Sequence, residues 1–313
     1  MEVVESVDFR LADAVGDLLA RHTAAAGFPG LSEGRVRALD HATRTGGAGG
    51  VVVGAAARYP GQSPLVGWAQ IDADDDVRLP TMEVVALSVA GGPSAVDALL
   101  DSALGAFAAG GGGPLRWWVG HATDADDARA ATRGFGVERD LFQMRCPLPL
   151  PIRPGMHAPV PVATRAFVTG RDEAAWLVQN NRAFAEHPEQ GHWDLATLEE
   201  REAEPWFDPD GFRVLEVDGR IAGSCWTKVH RTADPPLGEI YVVGVDPDFH
   251  GRGWGRALTE DGFRWLASSG MDHGMLYVDA TNTAAVALYR SLGMTTHHVD
   301  RAYVAPSVVP QLD

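Results

Sequence analysis

The stretch VGVDPDFHGRGWGRAL, Val243–Leu258, sets glycines at 251, 253 and 255 directly after an apolar run, interleaved with Arg252 and Arg256. A helix N-terminus exposes unpaired N–H groups and the positive end of the helix dipole. Glycines before and inside the first turn let a phosphate lie against those donors without Cβ interference. The pattern therefore suits a pyrophosphate seat made mostly of backbone, with added charge from the two arginines. Walker A ends in GK[ST], which is not present here. A dinucleotide fold places its glycines early in a βαβ unit, whereas these come late, after antiparallel-looking strands. An ordinary glycine-rich turn is the competing reading of the glycines alone.

The elements that position this loop can be read around it. GFRVLEVDGR, IAGSCWTKVH and GEIYVVGVD are strand-like, and Asp218-Gly219 between the first two is a hairpin signal. TRAFVTG (164–170) reads as a strand. Glu173–Glu186 reads as a helix with Ala175, Trp176, Val178 and Phe184 near one face. Leu195–Ala203 reads as a short helix capped by Asp194 or Thr197. After the glycines follow a helix over 255–268, a buried strand MLYVDA (275–280), a short helix over 282–292 and a last strand HHVDRAYVA. Mixed strands with a glycine turn into a helix indicate an α/β (α+β) domain.

The chain has 313 residues, enough for two domains, and 45% apolar residues, enough for a core. Its formal net charge of −16, without a Lys/Arg run, disfavours nucleic acid and anionic membrane surfaces as partners. An anionic ligand must be held by local donors. Two distant cysteines, Cys146 and Cys225, read as buried thiols in a reducing compartment. His187, His192 and His230 fit no ordinary zinc spacing, so no metal is expected. MEVVESVDFR has neither a basic nor an apolar signal region, and no apolar run approaches ~20 residues, so a cytoplasmic protein is expected.

Residues 147–161, PLPLPIRPGMHAPVP, are extended and irregular by their prolines, either as a linker or as an edge strand. The halves on either side repeat landmarks. Gly67 and Gly223 are 156 residues apart, as are Glu83 and Glu239, and Gly136 and Gly293 are 157 apart. The near-constant offset points to duplication, with domains at 1–148 and 149–313.

YVVGVDPDFHGRGWGRAL resembles motif A of the GNAT acyltransferases, [RQ]xxGx[GA], with His250 where Arg or Gln is usual. DATNTAAVALYRSLGM resembles their motif B. With HPEQGHW, WFDPDGF, WTKVH and GEIYVVGVDP on a duplicated frame, the chain is similar to the mycothiol synthases, a tandem branch of that family. The resemblance implies two tandem domains, each a mixed, mostly antiparallel sheet flanked by helices. It implies acetyl-CoA as co-substrate, with its pyrophosphate on His250, Gly251, Arg252, Gly253, Trp254, Gly255 and Arg256. Val243, Gly244, Val245 and Ala285 are further implied contacts of that molecule, with Asn282 near the pantetheine arm and Tyr289 near the thioester sulfur. The implied acceptor is the cysteinyl amine of desacetylmycothiol, a cysteine–glucosamine–inositol conjugate. Such chemistry needs a neutral amine, a polarised carbonyl and a protonated leaving thiolate. Glu239 is expected as base, directly or through water, Tyr289 as the acid, and the amide of Val243 or Gly244 as the carbonyl's donor. Glu189, Lys228, Glu239 and Tyr277 are expected to hold the acceptor, joined by Glu33 from LSEG in the first half. Lys228 has a nearly equal reading as a solvated strand lysine.

The first half reads SVAGGPSAVDAL at the loop position, with no GxG pair and no arginine, and Pro93 interrupts the run. It is expected to bind CoA weakly or not at all and to buttress the other half, in a monomer that imitates a dimer internally. The rival functions are a GNAT with another amine acceptor, a CoA-binding regulator and a plain interaction protein.

Overall fold

The computed structural model describes residues 2–5, 11–45, 51–58, 64–72, 79–87, 95–151, 162–186, 190–231 and 233–309. In chain order they form β1 (Glu2–Glu5), α1 (Ala12–Ala26), α2 (Glu33–Thr45), β2 (Val51–Arg58), β3 (Leu65–Asp72), β4 (Thr81–Ala86), α3 (Ala95–Ala109), β5 (Gly113–Val119), α4 (Asp124–Thr132) and β6 (Gly136–Pro147). Then come β7 (Thr164–Ala166), α5 (Glu173–Ala183), α6 (Leu195–Glu202), β8 (Phe212–Val217), β9 (Arg220–His230), β10 (Leu237–Val245), α7 (Trp254–Ser268), β11 (His273–Asp279), α8 (Thr283–Ser291) and β12 (Thr295–Val308).

The chain divides into two compact units, one of Met1–Leu141 with His298–Asp313, the other of Phe142–His297. A cut at 148/149 would place the last strand in the second unit. In the structure Arg301–Val308 of β12 pairs antiparallel with β5, so the first unit's sheet runs β1-β2-β3-β4-β5-β12. The second unit's sheet runs β6-β11-β10-β9-β8-β7. A proline-rich stretch reports local stiffness and carries no information on which strand closes which sheet. Each sheet holds a parallel pair, β4 with β5 and β10 with β11, beside antiparallel pairs such as β3 with β4 and β9 with β10.

In the second unit both faces of the sheet are covered. Cys225, Ile240, Leu258, Phe263, Leu266, Leu276 and Val286 form the core beneath α7 and α8. Trp176, Leu198, Phe212, Val214, Trp226 and Val242 form the core on the α5 and α6 side. A Cβ on Gly223 would lie 2.9 Å from Leu258 Cδ1, so glycine is what lets α7 approach β9. Gly67 plays the same part for Leu99 of α3 in the first unit, at 2.6 Å. The duplicated glycines thus serve the same close helix–strand packing.

Helix α5 buries Trp176, Gln179 and Asn180, while Val178 is 62% exposed. The expected face is therefore corrected: a 3.6-residue period from Trp176 returns at 179 and 180, and not at 178. Gln179 is accommodated because Ser224 Oγ donates to its Oε1 at 3.0 Å, while Trp176 Nε1 donates to Ser224 Oγ at 2.9 Å.

Candidate active site

Two features of β10 open the site. The parallel register with β11 runs only from Gly238↔Gly274 through Glu239↔Met275 to Ile240↔Leu276, although β10 continues to Val245 and β11 to Asp279. The two strands therefore part after Ile240. The pairing with β9 also slips between Ile240 and Val242, leaving Tyr241 as an extra residue. A bulge bends its strand and redirects side chains; here Tyr241 and Val242 both join the α5-side core.

The cleft beyond the parting point has a volume of about 370 Å³. Its walls are the end of β10 (Val243–Val245), the loop into α7 and the face of α8 bearing Ala285 and Tyr289. Gly251 (φ 76°) and Gly253 (φ 77°) are both left-handed, a conformation that side chains with a Cβ rarely adopt. Gly253 is the N-cap residue of α7, so the unpaired N–H groups of the first turn face the loop. A Cβ at Gly251 or Gly255 would meet nothing within 4 Å, which leaves the approach to those amides open. The loop is braced from behind. The His250 Nε2 lies 2.9 Å from Val245 O, Phe249 stacks on Trp254, and Arg182 bonds Asp246 at 2.7 Å. Arg252 lies over the Phe249 and Trp254 rings, whereas Arg256 is turned to Ser291 Oγ and, at 3.4 Å, to Glu260. Asn282 caps α8 by accepting from the Ala285 N–H at 3.1 Å. Tyr289 is buried in the cleft wall, and burial pushes its phenol up to about 12.

On the α5 side of the sheet, antiparallel pairing sets Lys228 opposite Glu239. Glu239 is 7% exposed, and its Oε2 lies 2.6 Å from His230 Nε2. Its other oxygen makes no hydrogen bond to a described residue. Lys228 is buried with Nζ 4.4 Å above the Trp206 ring and 5.5 Å from that of Tyr241, a cation–π setting. The solvated-lysine reading is thereby set aside. Tyr277, on β11 past the last parallel pair, is 40% exposed and accepts from Gln143 Nε2 at 2.8 Å.

The structure thus brings together on one unit Glu239, Lys228, Tyr277, Tyr289 and the 243–256 segment with Asn282 and Ala285. Glu189 lies outside the described residues. Glu33 opens α2 in the first unit, 3.8 Å from Arg37. Sequence reasoning weighed His230 only as a metal ligand and missed its place beside Glu239, although it follows Lys228 by two residues on a strand and so shares its face. It also passed over Gln143 and Arg145, which a cut at 148/149 assigns to the wrong half. Cys146 and Cys225 are free and buried, with both thiols pushed up by burial. Among the described residues no helix is long and apolar enough to cross a membrane.

Residues 177–294 match the Acetyltransferase (GNAT) family. A mycothiol acetyltransferase from Thermobispora bispora is 52% identical over 198 residues, 62% of this chain and 66% of that protein. One from Streptomyces coelicolor is 45% identical over 240 residues, 76% of this chain and 75% of that protein. Among solved structures, a tandem GNAT protein from the clavulanic acid biosynthesis pathway superposes with a TM-score of 0.64 at 18% identity, over 99% of this chain and 100% of that one, which shows a shared tandem fold. The parted strands, the left-handed glycines at the head of α7 and this degree of identity lead to one conclusion: the chain belongs to the mycothiol acetyltransferase family of tandem GNAT acetyltransferases.

Proposed function

We propose that this chain transfers acetyl from acetyl-CoA to the cysteinyl amine of desacetylmycothiol, and that the second unit carries the reaction. The observation that carries this reading is the place where β10 and β11 part. Past that point β10 walls a cleft headed by open backbone donors, and just before it the same strand carries Glu239, a buried acid with an oxygen to spare. Family membership supports the acceptor.

The fit to acetyl-CoA rests on the loop. Left-handed Gly251 and Gly253 turn the amides at the head of α7 outward, where the helix dipole favours a pyrophosphate. Arg252, which pairs with no carboxylate among the described residues, adds charge at the rim. Bound there, acetyl-CoA supplies a thioester carbonyl as the electrophile. The amide of Val243 or Gly244, freed from β11 by the parting, donates to that carbonyl oxygen. Asn282 keeps the head of α8 in place beside the pantetheine arm, with Ala285 small enough to let it pass.

Glu239 takes the proton from the attacking amine on the oxygen that His230 does not hold. Tyr289, like any phenol, keeps its proton across the neutral range, and burial extends this to higher pH, so it has a proton to give to the departing sulfur. Lys228 and Tyr277 flank Glu239 and bind the sugar portion, and Glu189 is carried in the same role from the sequence.

The test is an assay of CoA release from acetyl-CoA with desacetylmycothiol beside a panel of simple amines and aminoglycosides. Strong turnover confined to desacetylmycothiol is expected. Release with another amine alone would keep the acetyltransferase and discard this acceptor.

A further inference from the structure

Across the α5-side face of the second sheet, register aligns Lys228 with Glu239 and Glu239 with Met275. The neighbouring strand β6 continues this row. Leu148 N–H donates to Asp272 O at 2.8 Å, and Gln143 Nε2 reaches Tyr277 Oη at 2.8 Å. These two contacts run in opposite senses along the strands and set Arg145 beside Met275. Arg145 therefore stands two strands from Glu239 in the same row, about 10 Å away at the usual strand spacing.

The surroundings of Arg145 differ from those of three other arginines in the unit. Arg165 meets Asp172, Arg182 meets Asp246 and Arg213 meets Asp261. Half-buried Arg145 pairs with no carboxylate among the described residues, in a chain of net charge −16. Its Nε donates to Gln143 Oε1 at 2.6 Å, and Gln143 passes its amide to Tyr277. Burial works against the Arg145 charge, opposed by the Tyr277 phenol. A guanidinium has five N–H donors, and one is used. A desolvated cation without a counter-ion is costly to hold, and donors in a fixed fork are suited to a ligand's oxygens.

We infer that Arg145, oriented by Gln143 and flanked by Tyr277, binds the hydroxyl groups of the acceptor while its amine lies at Glu239. This rests on the acceptor reading given above. The chemical class is a neutral polyol: phenol, amide and guanidinium together offer both donors and acceptors, as hydroxyl groups require.

The experiment compares wild type, Arg145→Leu and Arg145→Lys at saturating acetyl-CoA. Two acceptors are used: desacetylmycothiol, and L-cysteinamide, which keeps the cysteinyl amine and has no hydroxyls. Loss of a charged hydrogen-bond donor to the ligand corresponds to about a ten- to hundredfold change. Arg145→Leu is expected to raise the KM for desacetylmycothiol by that factor, with Arg145→Lys between. Turnover of L-cysteinamide and the KM for acetyl-CoA stay unchanged. Glucosaminyl-inositol, which lacks the cysteinyl group, is expected to inhibit wild type competitively and the leucine variant about tenfold less. Equal losses on both acceptors, or undiminished inhibition in the leucine variant, would overturn the inference. A wild type that acetylates other amines and ignores desacetylmycothiol would instead remove the acceptor reading on which it stands.

Discussion

Both units carry a buried acid at the matching place, Glu83 on β4 and Glu239 on β10, and they use it differently. Glu83 has both oxygens engaged: Oε2 accepts from the Ser32 N–H at 2.7 Å and Oε1 from Ser32 Oγ at 2.6 Å, with Arg35 Nε 3.6 Å away. Burial still pushes its carboxyl up. Glu239 has one oxygen beside His230 and the other without a described partner. Duplication copies the scaffold, the strand and the acid. The residues packed around each acid decide whether it ties down a loop or remains available to a substrate. The segment ahead of α3 repeats the divergence in sequence, since it lacks the GxG spacing and the arginine found ahead of α7.

The largest effect that sharpens this contrast is at the acids themselves. Glu239→Gln should lower kcat/KM by about 10²–10⁴, the range for loss of a general base. Glu83→Gln should leave kcat/KM unchanged and lower unfolding stability by about 1–3 kcal/mol, because its buried hydrogen bonds are impaired. Comparable kinetic losses in the two variants, read by steady-state CoA release, would break the contrast. Tyr289→Phe comes next, with kcat reduced on the order of a hundredfold and the KM for acetyl-CoA unchanged. Because the phenol is held up at about 12, the ratio of wild-type to phenylalanine kcat should stay level up to about pH 10. A ratio that falls from about pH 9 would mean an ordinary phenol.

The loop offers a smaller, cleaner difference. Gly253→Val forces a β-branched residue into a left-handed site, at a strain of roughly 1–3 kcal/mol. CoA affinity measured by calorimetry should weaken by about tenfold or more, from a wild-type stoichiometry of one per chain. A tight site that survives the substitution would assign CoA to the first unit as well.

The last difference is in stability against pH. In the second unit, burial would raise Asp172, but hydrogen bonds from Arg165, Arg171 and the Val168 N–H win and hold it down at about 2, against 3.8 ordinarily. A lowered carboxyl contributes stability above its unfolded value, and that contribution is lost as pH falls from 3.8 towards 2. The raised Glu83 has the opposite sign: its contribution is present below 4.5 and is lost as pH rises through its folded value. Asp172→Asn should flatten the acid slope of unfolding free energy, worth about 2 kcal/mol, and Glu83→Gln the slope above pH 4.5. An unchanged slope in either variant would place the titration elsewhere.

Much of this was legible because it is local. Asp218 and Gly219 both take positive φ in the turn between β8 and β9, as the hairpin signal requires. Asp194 caps α6 and Asn282 caps α8, each through its own side chain. The glycines ahead of α7 announced a turn that only residues without a Cβ adopt comfortably. Val178 misled because an apolar side chain on a short helix need not lie on its buried face. The role of His230 beside Glu239, and Arg145 altogether, were missed because each acquires its meaning from a residue on another strand.

The sequence by itself determined the two-domain frame, the strand–loop–helix that heads the cleft and the types of acid and phenol available for acyl transfer. Those follow from periodicity, caps and backbone freedom, which act within a few residues. Only the tertiary structure decided that β12 completes the first sheet, that β10 and β11 part after Ile240, and that Glu239 keeps an oxygen open while Glu83 does not. Strand pairing and the satisfaction of buried polar atoms join residues far apart in the chain, and no local pattern encodes which partner arrives.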